Sequence, residues 1–400
     1  MKRIVTIIIA LLLACALMQA QGLEGTWHGR GKVGQVELGI VFHLGRESSM
    51  DSPDQGAYGI PAVVDSSYNM GLKVAVPSIG AVFTGVPFKG KISGTLTQMG
   101  VSIPLTLEPG DFVYARPQTP QPPYPYATGE VSFAGADAVL AGTLAGPAPG
   151  AKGTAVLFVS GSGQQDRDES LFGHKPFAVL ADALAREGIA SLRYDDRGFG
   201  ASTGDAENAT TLTLSEDAAA GVAYLRSLGY GKVGVIGHSE GGTIAMMLAA
   251  GEKAPDFIVS LAGMADRGDS TIFRQAVKTL TLGGADLQQA ETYAAQALSA
   301  NAAAGQPWMD YFLKLDPAAC LPLIKCPFLA LNGEKDCQVL PEYNLSKIKA
   351  LCPSADARLY PGLNHLFQHC GTGLATEYNR IEETISPEVI EDITGWVKGL

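Results

Sequence analysis

The chain has 400 residues, 48 of them Gly, with 46% hydrophobic and 17% charged positions. Such hydrophobicity with so little charge excludes an intrinsically disordered chain, glycine without a three-residue period excludes a collagen-like one, and six cysteines in this length exclude a disulfide-built scaffold. With 29 basic against 40 acidic residues, a net charge of −11, and no basic run, nucleic acid is not an expected partner.

Lys2 and Arg3 open the chain, an apolar run occupies 4–18, and Gln19, Ala20 and Gln21 follow. A charged start, a short apolar run and a small residue at the end predict a secretory signal over residues 1–20, and so an exported, periplasmic or extracellular protein. A spanning helix needs roughly 20 apolar residues, and no later segment offers one, so no membrane span is expected. Leu12-Leu13-Ala14-Cys15 resembles a bacterial lipoprotein box, which makes a lipid anchor at Cys15 the alternative. Ala16, Leu17 and Met18 continue the apolar run where such a box turns polar, which favours cleavage after Ala20.

Residues 22–116 read as a β-rich domain, a small barrel or sandwich. Val36, Leu38, Ile40, Phe42 and Leu44 alternate with other residues, as do Val101, Ile103, Leu105 and Leu107, and glycine-rich turns separate such runs. His28 and His43 stand alone and read as structural, and the run Asp51 to Gly56 is turn chemistry. Residues 117–126 carry Pro117, Pro120, Pro122, Pro123 and Pro125, a stiff extended linker.

From residue 127 to 400 short apolar runs alternate with helical stretches, the mark of a mostly parallel sheet. The runs 155–159, 189–194, 233–236, 257–261, 328–331 and 357–360 predict strands. The stretches 176–187, 214–228, 241–250, 341–351 and 387–398 predict helices. The segment between 261 and 328 must hold a crossover helix together with whatever covers the site. Its Ala-rich part, 293–304, reads as modest helix, so a small helical cap is expected within about 264–320. No internal repeat is present.

Two G-x-S-x-G motifs occur. Gly237-His238-Ser239-Glu240-Gly241 follows the apolar run Val233-Gly234-Val235-Ile236 and precedes the apolar helix start at Gly242. That is the strand–turn–helix context in which a serine Oγ stands clear of a sheet. Gly200-Ala201-Ser202-Thr203-Gly204 lies in a polar loop with no helix after it. Ser239 is therefore the candidate nucleophile. A serine needs a base, and the base an orienting acid, in the chain order Ser, Asp/Glu, His. Asp336, in Asn332-Gly333-Glu334-Lys335-Asp336, is the candidate acid ahead of Glu334. His365, in Pro361-Gly362-Leu363-Asn364-His365, is the candidate base ahead of His369. An oxyanion needs two backbone N–H donors, and Glu240 and Ser162 are the candidates. Asp166-Arg167-Asp168-Glu169 reads as an ion-pair network or a solvated loop, Asp195-Asp196-Arg197-Gly198 as loop scaffolding, and His174 and His238 as packing or hydrogen-bonding residues.

No Cys or His cluster has metal-ligand spacing, and no metal or cofactor is expected. Cys337 adjoins the candidate acid and Cys370 lies close after the candidate base, so a disulfide between them is expected if the two loops meet in an exported protein.

The motifs SGSGQQDRDE, HKPF, RYDDRGFGAST, GHSEGG, NGEKD and PGLNHLF together resemble secreted bacterial esterases of the serine aminopeptidase-like hydrolase superfamily, from about Tyr124 to the end. The β-rich region, with DSPDQGAYGIP, resembles the leading domain that such esterases carry. The resemblance implies an α/β-hydrolase fold and a carboxylic-ester hydrolase acting on a small-molecule ester. It implies nucleophile Ser239, acid Asp336 and base His365. The sequence departs from many relatives at Ser160, where they have His. Two other readings remain: a serine aminopeptidase or other amidase, and a non-catalytic carbohydrate- or lipid-binding protein. The absence of an extended Leu, Ile and Phe run in the cap region predicts short acyl chains.

Overall fold

The structure, a computed structural model, describes residues 23–33, 36–55, 57–147 and 153–400. The expected signal sequence over 1–20 and the alternative lipid anchor at Cys15 lie outside the described residues. The chain forms two compact units, divided between Tyr114 and Ala115.

In the first unit, β1 (Gly25–Val33), β2 (Val36–Leu44), β3 (Ser48–Ser52), β4 (Ala57–Val64), β5 (Leu72–Val76), β6 (Ala81–Phe88), β7 (Lys91–Gln98) and β8 (Val101–Pro109) close into a barrel in chain order. Every pairing is antiparallel, and β1 returns to β8 through Trp27–Pro109 and His28–Glu108. Side chains alternate along a strand, so one set fills the interior. Phe42, Val74, Phe83, Ile92 and Leu107 are fully buried there. His43 is paired with Asp51 at 2.8 Å, and His28 meets the ring of Phe112 edge-on.

The second unit is built on an eight-stranded sheet. Its strands are β9 (Ala127–Ala134), β10 (Val139–Gly146), β11 (Thr154–Val159), β12 (Ala190–Tyr194), β13 (Lys232–His238), β14 (Phe257–Leu261), β15 (Phe328–Gly333) and β16 (Asp356–Tyr360). Their order is β16-β15-β14-β13-β11-β12-β10-β9. Strands β11 to β16 are parallel, and β9 and β10 add an antiparallel edge. That hairpin was not foreseen. Its Ala- and Gly-rich residues bury few large side chains and carry little of the period-two signal that marks the other strands.

The inner parallel strands, β11 to β15, are buried on both faces, while β16 lies at the edge. Helices α1 (Pro176–Arg186) and α8 (Pro387–Gly399) cover one, and α2 (Thr211–Ser227), α3 (Glu240–Ala249) and α7 (Pro341–Leu351) the other. Each helix buries a stripe at helical spacing: Phe177, Leu180, Ala181 and Leu184 on α1, and Val389, Ile393 and Val397 on α8. Pro at the first position starts both, where its missing N–H costs nothing. A reciprocal cap between Thr210 and Thr213 opens α2.

Three more helices, α4 (Gly268–Leu282), α5 (Leu287–Ala303) and α6 (Pro307–Lys314), lie between β14 and β15 and pack against one another. The expected crossover helix does not form. Short 3-10 turns at Pro317–Ala319 and Leu321–Leu323 make the return to the sheet, and Leu321 and Ile324 enter the core in its place. The proline-rich segment is held onto the second unit. Arg116 donates to the carbonyls of Phe172, Asn379 and Ile381, and Gln118 both donates to Ile385 O and accepts from Thr384 N.

A buried ion pair ties the loop after β12 to α2. Arg197 Nε and Nη2 reach both oxygens of Asp217 at 2.7 and 2.8 Å, with both side chains almost wholly buried. Removing one partner of such a pair leaves an uncompensated buried charge, a loss of about 3–5 kcal/mol. Asp217→Asn should therefore lower the unfolding free energy of the second unit by that amount, with a lower denaturant midpoint. A midpoint unchanged in urea titration followed by tryptophan fluorescence would contradict this.

Candidate active site

β13 runs down the middle of the sheet and ends at His238, and α3 begins at Glu240. Ser239 makes the turn between them at φ 53°, ψ −118°, a left-handed backbone that a residue with a side chain adopts only when its surroundings impose it. The glycines on either side show what imposes it. A Cβ on Gly237 would lie 2.0 Å from the carbonyl oxygen of Gly241, and one on Gly241 would lie 2.0 Å from that of Val159. Ser239 N donates to Leu261 O at 2.8 Å, which fastens the turn to the neighbouring strand.

The candidate acid and base stand on loops at the same end of the sheet. Asp336 follows β15. Its Oδ1 accepts from the backbone N–H of Gln338 and Val339 at 2.7 and 2.9 Å, and its Oδ2 from Asn332 Nδ2 at 3.0 Å. His365 follows β16, in a loop folded on Asn364, whose Oδ1 accepts from Leu366 N and Gln368 N. The two loops are laced together: Lys335 N donates to Leu363 O, and Lys335 Nζ to the carbonyls of Cys370 and Gly371. Asp336 Oδ2 and His365 Nδ1 meet at 2.7 Å, with Asp336 1% and His365 2% exposed. An ionised carboxylate only accepts, so Nδ1 carries the proton, and in the neutral ring Nε2 presents a lone pair. Nε2 is buried without a hydrogen-bond partner.

The rival candidates are placed elsewhere. His369 is 64% exposed and paired with Glu383. Glu334 accepts from Gly362 N. Ser202 is buried; its Oγ donates to Asp195 O and accepts from Ala141 N, so its hydroxyl is spent on holding a loop.

Ser239, His365, Glu240 and Ser162 line one cavity of about 380 Å³. The N–H of Glu240 belongs to the first turn of α3, where helix amides lack intrahelical partners. The loop that carries Ser162 is pinned from behind. Ser160 Oγ donates to Asp196 Oδ1 at 2.9 Å, and Gln165 N donates to Asp196 Oδ2 at 2.9 Å. Burial pushes the Asp196 carboxyl up to about 7, against the pull of these donors. The Glu240 side chain, itself buried, accepts from Thr211 Oγ1 at 2.6 Å and from Trp308 Nε1 at 3.0 Å. One carboxylate thus joins the nucleophile turn to α2 and to cap helix α6. Burial raises its pKa, and these donors, with the Ser162 hydroxyl, oppose that.

Trp308, Thr211 and Glu169 were not foreseen as lining or supporting this cavity. Trp308 lies in the expected cap region but beyond the stretch read as helix, in no motif, and nothing local marks Glu169 as different from the acids around it. Those neighbours do form ion pairs: Arg167 with Asp195, and Asp168 with Lys175 and Arg193. The expected Cys337–Cys370 bridge is not formed, and all five described cysteines are free thiols. The loops meet, but Cys337 Sγ turns to the carbonyls of Lys335 and Thr372, and Cys370 Sγ turns to that of Gly362. Among the described residues no cluster of His, Cys, Asp or Glu could hold a metal ion, and no helix is long and apolar enough to cross a membrane.

A central strand leading into a strained serine turn, with a carboxylate and a histidine on loops after later strands, is the arrangement of an α/β-hydrolase. The chain belongs to the alpha/beta hydrolase family, whose sequence profile matches residues 156–376. It is 28% identical over 259 residues to Esterase EstD of Thermotoga maritima, a match covering 61% of this chain and 61% of that protein. It is 25% identical over 224 residues to Serine hydrolase BPHL of Mus musculus, covering 53% of this chain and 74% of the mouse protein. Among solved structures, an esterase of Pyrococcus furiosus aligns with a TM-score of 0.44 at 17% identity, over 63% of this chain and 91% of its own.

The crowding at the turn makes a direct prediction. Gly241→Ala forces a methyl group into the carbonyl of Val159, so the turn must open and Ser239 must move. Hydrolytic activity should fall by about 100-fold or more, since small displacements of reacting groups have costs of that order. Ala at Gly395, whose Cβ position is empty, serves as the control and should leave activity within twofold.

Proposed function

We propose that this protein is a carboxylic-ester hydrolase that works through Ser239, His365 and Asp336 by way of an acyl-enzyme, on esters of short acyl chains. The observation that carries the reading is the buried Asp336–His365 pair, whose unpartnered Nε2 lines the same cavity as the strained Ser239. In this scheme Nε2 takes the proton from Ser239 Oγ as the oxygen attacks the ester carbonyl. Asp336 holds the ring and stabilises the imidazolium that results. The N–H groups of Glu240 and Ser162 receive the oxyanion. His365 then returns its proton to the departing alcohol, the alkoxy C–O bond breaks, and the acyl group remains on Ser239. Water, deprotonated by His365, attacks the acyl-enzyme and releases the carboxylic acid and the free serine.

The preference for short acyl groups rests on the enclosure. About 380 Å³ lies near the lower end of the roughly 300–1,000 Å³ usual for ligand sites. Trp308 and Phe312 of the cap stack on one another at its wall, and Trp308 is fastened to Glu240. One methylene contributes only about 1–3 kcal/mol of discrimination, so rates should decline gradually with chain length. Residues 1–20 accord with an exported enzyme.

Two measurements test the reading. Ser239→Ala, Asp336→Asn and His365→Ala should each lower kcat by orders of magnitude while leaving the melting curve in place. Their double mutants should lose little more, because such groups act as a unit. An active Ser239→Ala protein would refute the assignment. Rates on a series of aryl esters from acetyl to palmitoyl, beside aminoacyl anilides, test the substrate class. The maximum is expected at short acyl esters, and a maximum at long chains or faster cleavage of the anilides would overturn it.

A further inference from the structure

Two buried side chains that this chemistry does not use stand directly behind it. Glu169, on the loop after β11, is 1% exposed, and His238, the residue before Ser239, is 5% exposed. His238 Nδ1 lies 2.9 Å from Glu169 Oε1, and His238 Nε2 lies 3.0 Å from the carbonyl oxygen of His365. Glu169 Oε1 also accepts the backbone N–H of Gly161 at 2.7 Å. One pair therefore touches three loops at once: that of Ser162, the serine turn and that of His365.

Proton counting settles the charge of this pair. A carbonyl oxygen only accepts, so Nε2 carries a proton. A neutral imidazole has just one N–H, so a neutral His238 would present bare Nδ1 to Glu169. Glu169 would then have to be protonated on Oε1, and the acid hydroxyl would have to accept from Gly161, a poor acceptor in place of a good one. An imidazolium facing a carboxylate satisfies all three contacts, each of them charge-assisted.

The charged groups around the ring agree. Burial opposes its charge, but Glu169, the carbonyl of His365 and Asp336 outweigh burial and hold His238 above the ordinary imidazole range. The ring of His365 is its other titratable neighbour, at 4.8 Å between centroids, and Glu240 lies two residues along the chain.

We propose that His238 and Glu169 are positioning residues, a buried imidazolium–carboxylate pair that keeps the loops of Ser162, Ser239 and His365 in register and lets them go when the imidazolium loses its proton. The inference rests on the ester-hydrolase reading for what the three loops do. Its sign follows from the direction of the shift. The paired form is the protonated one, so the pair is complete at pH values below the raised titration of His238 and is lost as pH rises through it. Once neutral, the ring can donate to Glu169 or to the His365 carbonyl, and not to both.

Ring-nitrogen NMR of 15N-histidine-labelled Ser239→Ala protein reads the charge without any turnover. Six histidines in the chain keep the spectrum assignable. His238 is expected to be protonated on both nitrogens at pH 7.5; a neutral ring there would overturn the proposal. The second measurement is the pH profile of ester hydrolysis by Glu169→Gln, which keeps the shape and removes the charge. It should show kcat reduced by about 10- to 100-fold with KM nearly unchanged, and an alkaline limb moved toward neutral pH. A loss that is uniform across pH, or an alkaline limb superimposable on that of the unmodified protein, would refute the role. Failure of the ester-hydrolase reading would appear separately, as full activity in Ser239→Ala, and would leave the NMR result standing.

Discussion

The arrangement depends on how closely three backbones approach at the end of β13. Gly237, Gly241 and the carbonyl of Val159 occupy space that no side chain could share. This close contact forces Ser239 into its left-handed conformation and brings α3 against the sheet immediately after it. Everything else at that end of the sheet is arranged around a turn that cannot relax. The strain is modest, about 1–3 kcal/mol for such a backbone. It is spread over a core in which β11, β13 and β14 are buried on both faces.

Around this fixed point, buried carboxylates do the holding. Asp336 orders its own loop and the ring of His365, Asp196 holds the loop of Ser160, Glu240 reaches the cap, and Glu169 reaches His238. Asp336, Asp196 and Glu240 sit just beyond the ends of strands, and Glu169 lies farther along the loop after β11. A carboxylate can accept from several donors at once, so a few acids organise loops that have little apolar surface of their own. An acidic chain with a low overall charge density is therefore compatible with a strongly organised site, because seven of its described acids, these four among them, are buried.

Much of this was legible in the sequence, and the limits are physical. The inner parallel strands declared themselves because burial on both faces makes them largely apolar runs. The serine turn declared itself because its glycines are sterically required. The loops of Asp336 and His365 followed from strand order. Glu169 did not, because Asp166, Arg167, Asp168 and Glu169 look alike locally, and only the distant placement of His238 separates the buried acid from the paired ones. The hairpin of β9 and β10 was missed because Ala and Gly carry little pattern. The cap was readable as helix but not as three helices packed on themselves, since the crossover helix that the topology calls for was replaced by 3-10 turns. Cys337 and Cys370 show the difference between proximity and orientation: the loops meet, yet each thiol faces a carbonyl.

The closure of the first unit into a barrel has a consequence for behaviour at high concentration. An open sheet ends in strands whose outer N–H and C=O groups can pair with another chain, and such edges seed aggregation. The eight strands of the barrel leave no edge of that kind, although Phe88, Met70 and Val86 stand exposed on its outside. The second unit keeps two edges, β9 and β16. β9 carries Glu130, paired to Arg167, and β16 carries Arg358, paired to Asp356 and Asp392. Charge on an edge strand makes an incoming strand costly to accept. Self-association through strand pairing is thus blocked in one unit by geometry and opposed in the other by electrostatics.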